Sequence, residues 1–325
     1  MSIGARTSSL FAAGAIAISC LLAVIASAAQ ATFPGHPGLI VFSKVTLDPQ
    51  SGEGTGGLFA IQPGQGTLRQ LTNNPRDYSP SFDPTGRKIV FRRVATPPAS
   101  TVGGIYMLDM KSGETRSLTS VGSDTDPAFG RGGEIVFSRF FRSSGSYDLV
   151  LRRSSGKLLR LTTDSANDGD AVFMPDGERI VFSSVERHLV ALTGARRGAL
   201  EERIYSIRTD GTGLRLISRL PGAEDLDVSP DGREISFSAS LASSPAPNGF
   251  AVLTRLIGKR NSRVVAKDGS APVYSPAGAE IAYTNHRGVW VHPLRDPARR
   301  VVATEYEPMT PGGELVVDPA WQPLP

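Results

Sequence analysis

Six copies of one unit run along nearly the whole chain. In each, a short apolar strand passes through a tight turn into an Ile-Val-Phe-like strand. A third strand and a fourth ending near Leu-Thr follow. Ser79-Pro80-Ser81-Phe82 with Lys88-Ile89-Val90-Phe91 returns as Asp126-Pro127-Ala128-Phe129 with Glu134-Ile135-Val136-Phe137. Further copies are Asp170-Ala171-Val172-Phe173 with Arg179-Ile180-Val181-Phe182, Asp225-Leu226-Asp227-Val228 with Glu234-Ile235-Ser236-Phe237, and Ala271-Pro272-Val273-Tyr274 with Glu280-Ile281-Ala282-Tyr283. The residues closing the first strand are Phe82, Phe129, Phe173, Val228, Tyr274 and Trp321, at spacings of 47, 44, 55, 46 and 47. A period of this size marks a repeat architecture, in which each unit buries its apolar face against its neighbours.

The turns have a mechanism. Asp83-Pro84-Thr85-Gly86, Met174-Pro175-Asp176-Gly177, Ser229-Pro230-Asp231-Gly232 and Ser275-Pro276-Ala277-Gly278 place Pro where φ near −65° is wanted and Gly where φ turns positive. The third copy uses Gly130-Arg131-Gly132-Gly133. Third strands are expected at 58–61, 105–108, 149–151, 204–207, 250–253 and 289–291, and fourth strands at 68–72, 115–119, 158–162, 214–218, 263–266 and 301–304. Four short strands per period make an all-β, six-bladed β-propeller of four-stranded antiparallel blades.

The Ser-Pro-Asp-Gly turn, the Ile-Xaa-Phe strand and the closing Leu-Thr resemble the TolB/WD40-like (PD40) repeat, and the resemblance covers residues 38–323. It implies a TolB-like propeller. TolB itself carries an α/β domain before its propeller, whereas here the first blade begins about seven residues after residue 31. Closure can also be read. Gly38-Leu39-Ile40-Val41-Phe42 matches a second strand, and Asp318-Pro319-Ala320-Trp321 is a spare first strand. The C-terminal strand is therefore expected to complete blade one. Pro80, Pro127, Pro272 and Pro319 share one position of the innermost strand, where a missing N–H facing the channel breaks no ladder bond.

Residues 1–31 read as a secretory signal peptide. Arg6 precedes an apolar run from Leu10 to Ala28, followed by small-residue cleavage signatures. Residues 32–37 then form a short linker and 38–325 the propeller. Two further readings are an uncleaved membrane anchor and lipidation of Cys20, which a loose lipobox precedes. Cys20 is the only cysteine, so a processed chain has neither disulfides nor cysteine-ligated zinc. Loss of Arg6 lowers the formal charge from +4 to +3, too mild for a nucleic-acid partner. The expected destination is the periplasm, the cell envelope or the medium.

Strand parity sorts the connections. Those after second strands (44–57, 92–103, 139–146, 184–203 and 239–249) are long and share one face, where binding residues usually sit. Phe140, Phe141, Arg142, Arg187, His188, Arg196 and Arg197 are the candidate partner contacts there. The same face receives the starts of the innermost strands, which carry Asp77, Asp124, Asp126, Asp168, Asp170, Asp225 and Asp318. Two readings stand for these acids. They form a channel-mouth ring for a cation or basic peptide, with Arg76, Arg92, Arg139 or Arg142 neutralising part of it, or they accept backbone hydrogen bonds within the wall. The segment from Asp164 to Asp170 looks superficially like a calcium loop but lacks the ligand at its third position and the Glu at its twelfth. His36, His188, His286 and His292 show no metal-ligand spacing, and no Gly-Xaa-Ser-Xaa-Gly elbow is present.

No metal, cofactor or catalytic residue is assigned. The reading favoured is a monomeric, non-catalytic exported module binding a protein, peptide or glycan at the long-loop face. The alternatives are TolB-like envelope assembly and a hydrolase or lyase using channel-mouth carboxylates.

Overall fold

Each second strand is apolar on both faces because it lies between two neighbouring blades. Ile89, Val90 and Phe91 are fully buried, as are Ile180 and Val181, and this is why those strands read as unbroken Ile-Val-Phe runs rather than as an alternation. The computed structural model describes residues 30–48, 50–51, 53–94, 103–119, 123–185, 201–241, 244, 249–296, 301–305 and 314–325. Among these the regular structure is entirely β, and no helix is long and apolar enough to cross a membrane.

Six antiparallel sheets result. From the centre outward, blade one is Glu314–Leu324, His36–Leu47, Gly54–Ile61 and Leu68–Gln70. Blade two is Asp77–Phe82, Lys88–Val94, Gly103–Asp109 and Thr115–Ser117. Blade three is Thr125–Phe129, Ile135–Phe141, Ser146–Arg152 and Leu158–Arg160, and blade four Asn167–Phe173, Arg179–Val185, Glu201–Arg208 and Arg215–Pro221. Blade five is Glu224–Val228, Glu234–Ser240, Phe250–Leu256 and Arg263–Ala266, and blade six Ser270–Tyr274, Glu280–Asn285, Gly288–Pro293 and Val301–Glu305. Each innermost strand touches that of the next blade around the full circle, which makes a closed propeller.

The chain ends meet as expected. The last strand is registered on the first long one from His36 opposite Leu324 to Thr46 opposite Glu314, with Ile40 opposite Trp321. Trp321 is buried in a cluster with Ile40, Phe42, Ile61 and Val273, and so joins blades one and six. Gln322 adds a polar stitch, accepting the Leu39 N–H at 3.1 Å and donating to the Gly86 carbonyl at 2.7 Å.

Residues 32–37, expected as a linker, carry structure of their own. Gln30–Ala31 pairs parallel with blade five, and this short segment touches innermost strands of blades two to five, so it lies across the ring centre. Thr32 and Phe33 are buried, and Thr32 Oγ1 donates to Asp227 Oδ2 at 2.7 Å. Residues 1–29, including Cys20, lie outside the described residues.

The Leu-Thr ending has a hydrogen-bond cause. Fourth strands stop at Gln70, Ser117 and Arg160, short of their expected ends. The hydroxyls of Thr72, Thr119 and Thr162 then accept the backbone N–H of Leu58, Ile105 and Leu149 at 3.0, 2.9 and 3.0 Å. A side chain thus replaces the ladder bond that a longer strand would have supplied. The turns also follow expectation: Gly86, Gly177, Gly232 and Gly278 have φ of 65–75°, and each N–H returns to the carbonyl three residues earlier.

Candidate functional site at the long-connection face

One position of every innermost strand is left-handed. Ser79, Asp126, Asp170, Asp225, Ala271 and Asp318 have φ between 48° and 61°, each three residues before the closing residue. Register shifts fall beside them, so each strand carries a bulge. Asp is among the few side chains that tolerate this conformation, which explains its recurrence. Asp225 Oδ2 accepts the Ala271 N–H at 2.9 Å and the Ser238 hydroxyl at 2.6 Å. Asp318 Oδ2 accepts the Ser79 N–H at 3.2 Å. A bulge carboxylate of one blade therefore holds the bulge of the next. Asp170 accepts the Ser183 hydroxyl at 3.0 Å, and Asp126 is buried.

The second acidic set stands five residues before the closing residue. Asp77 and Asp124 are fully buried and each takes a bidentate arginine: Arg93 at 2.6 and 2.8 Å, and Arg139 at 2.6 and 2.8 Å. The carboxylate bonds raise the pKa of both guanidiniums. Of the arginines anticipated as neutralisers, Arg139 plays that part and Arg142 is exposed. Arg92 instead donates to Thr125, and Arg93 was not anticipated. Its signal was available, since Arg93 and Arg139 each lie two residues after the Phe of the second strand.

Blade four breaks this pattern. Asp168 is 1% exposed, and the residue opposite it is Ser184, where blades two and three have arginine. Neither carboxylate oxygen of Asp168 has a well-aligned hydrogen-bond partner. Burial pushes its pKa up to about 7, the nearby hydroxyls of Ser184 and Thr162 lower it, and the charges of Asp164 and Asp148 raise it again. Asp168 lines a crevice of about 290 Å³ between blades three and four, together with Thr162, Asp164, Ser184, Arg203 and Tyr205. Asp148, Asp164 and Asp168 bring carboxylate oxygens within 4.8 Å of one another. A larger depression of about 420 Å³ occupies the corresponding place between blades one and two, but there Arg93, committed to Asp77, and the neutral Asn74 form the wall.

The long connections are shorter than expected because the strands extend into them. Ile135–Phe141 and Ser146–Arg152 pair as far as Phe141 opposite Ser146, leaving only a four-residue turn. Phe140 stands 40% exposed and edge-on to Tyr147, with ring centres 5.4 Å apart. Phe141 is partly buried, and the Arg160 guanidinium sits 3.9 Å over its ring. Arg187, His188, Arg196 and Arg197 lie outside the described residues. Among the described histidines, His292 is buried and no set of histidines converges.

TolB from Acinetobacter baumannii superposes with a TM-score of 0.66 at 20% identity, over 88% of this chain and 67% of that one. The fold is a TolB-like propeller. The putative TolB from Agrobacterium tumefaciens gives a TM-score of 0.53 at 14% identity, over 89% of this chain and 99% of that one. Hydrazine synthase from Kuenenia stuttgartiensis gives 0.63 at 14% identity, over 89% and 47%. In sequence, the TolB-like propeller is 36% identical over 70 residues to the Tol-Pal system protein TolB 1 of Novosphingobium aromaticivorans. That stretch is 22% of this chain and 15% of the relative's length. No protein-family profile matches.

Proposed function

We propose that this TolB-like propeller is an exported, non-catalytic binding module of the cell envelope that docks a protein at its long-connection face. The observation that carries this reading is how four of the seven candidate innermost-strand carboxylates are used. Asp77 and Asp124 are clamped by arginine, while Asp225 and Asp318 hold the backbone of the next blade. Acids committed in this way build the wall; a general acid or base needs a carboxyl within reach of substrate and free to exchange its proton. The same face displays Phe140 beside the exposed Arg142, and aromatic and arginine side chains are those that protein interfaces favour. The likeness to a Tol-Pal system protein and the apolar N-terminal run support an envelope setting.

The test is in-cell cross-linking of the tagged full-length chain, followed by fractionation. A discrete envelope partner should cross-link to wild type, and Phe140→Ala combined with Arg142→Glu should abolish the adduct. Melting should change little, because surface substitutions typically stay within about 0.5 kcal/mol. An unchanged adduct would remove this face from consideration, and a purely cytoplasmic protein would refute the envelope assignment.

A further inference from the structure

The crevice between blades three and four differs from its counterparts in charge. At the blade one–two crevice the equivalent positions are Gly57, Asn74 and the neutralised pair Asp77–Arg93. Between blades two and three, Gly104 and the pair Asp124–Arg139 take these places. Between blades three and four the same places hold Asp148, Asp164 and Asp168, with Ser184 replacing the arginine. Two substitutions toward carboxylate and one loss of a cation thus converge on one point of the ring. Arg160 supplies one countercharge, donating to Asp148 Oδ2 at 2.6 Å. Asp148 Oδ1 stays buried without a partner, and neither oxygen of Asp168 has a well-aligned one. Asp164 is exposed at the rim, its Oδ1 accepting the Ala166 N–H at 2.9 Å.

We propose that Asp148, Asp164 and Asp168 form a calcium-binding site in the crevice between the third and fourth blades. The donor set is all oxygen, which suits a hard cation. Calcium–oxygen distances of about 2.3–2.6 Å allow ligand oxygens up to about 5 Å apart, and those of the three carboxylates lie within 4.8 Å of one another. Three carboxylates against Arg160 and Arg203 leave the crevice one net negative charge, so the pull on a divalent ion comes from the carboxylate oxygens that face it. The hydroxyls of Thr162 and Ser184 line the same space, and a crevice of about 290 Å³ has room for water to complete the shell. Arg203, opposite Ser184, also lines it and adds a second positive charge to the crevice wall. The site bridges two blades, because Asp148 comes from a third strand of blade three and Asp168 from the innermost strand of blade four. Bound calcium therefore takes the place that arginine holds in blades two and three.

The proposal is independent of the partner-binding reading and is tested on protein produced from the full-length chain. Melting is followed at about pH 8, where Asp168 is ionised, in chelator and then in calcium, magnesium or manganese chloride. Calcium at a hundred times its Kd should raise Tm by about 5 °C. Asp164→Asn, at an exposed position, should fold normally and weaken calcium binding at least about tenfold in a calorimetric titration. Ser184→Arg should supply the missing cation internally, raising Tm in chelator and abolishing the calcium response. An unchanged Tm in calcium, a response to magnesium or manganese without one to calcium, or a full calcium response in Asp164→Asn would each overturn the assignment.

Discussion

Asp227 illustrates how a single buried group ties separate parts of the chain together. Its Oδ2 accepts the Tyr274 N–H at 2.7 Å from the next blade and the Thr32 hydroxyl from the N-terminal segment. Burial raises its pKa to about 8, against the opposing effect of those same bonds. A folded pKa above the unfolded value near 3.8 means that the native state holds the extra proton. The stability this confers is complete below about pH 4 and is lost as pH rises toward 8. Asp227→Asn, which cannot ionise, should flatten this part of the profile. In Tm series run in chelator, the variant should gain on wild type steadily from pH 5 to pH 8, and parallel profiles would refute the account. Sequence patterning exposed the recurrent aspartates but not which were neutralised. Asp77 and Asp168 look alike along the chain, and only the residue across the strand pair, Arg93 or Ser184, separates them.

At the scale of the strand and turn, most of the structure was legible in the sequence. Pro-Xaa-Gly turns and Ile-Xaa-Phe strands fall where their local chemistry puts them, because both depend on near neighbours in the chain. The left-handed bulge was not foreseen, although the Asp recurring at one position was its trace. The fourth strands of blades one to three end before their expected limits, since the closing Thr bonds through its side chain, whereas that of blade four runs on to Pro221, past its expected end at 218. Two turn glycines separate local from tertiary demands. Gly113 has φ of 75°, and a Cβ added there would meet nothing within 4 Å, so Gly113→Ala should cost about 1–2 kcal/mol from backbone conformation alone. Gly86 has φ of 65°, and an added Cβ would lie 2.3 Å from the Pro323 carbonyl oxygen. Gly86→Ala should therefore destabilise clearly more than Gly113→Ala in denaturant unfolding. Equal effects would show that the turn of blade two does not press on the closing strand.

For the whole molecule, stability rests on the seam where the chain ends share blade one. The pairing runs from His36–Leu324 to Thr46–Glu314, and Trp321 fills the space between blades one and six. Trp321→Ala should lower unfolding stability by about 3–5 kcal/mol through the cavity it leaves. Deleting residues 318–325 removes the closing strand and opens the ring, so soluble folded protein should be lost. A truncated chain that melts like the full one would refute closure by this strand.

Blade number, strand order within each blade and the partner of the last strand were all determined by the sequence itself, because a repeat states its own period and a spare strand has one vacant place to go. The tertiary structure alone decided which side chains meet between blades. Asp148 comes from blade three, Asp168 from blade four and Asp164 from the connection between them, and the approach of Asp148 to the other two depends on how neighbouring blades pack rather than on spacing along the chain. The course of Thr32 and Phe33 into the ring was decided in the same way. Local propensity governs hydrogen bonds between near neighbours, whereas the charge of a crevice is the sum over residues that only folding brings together.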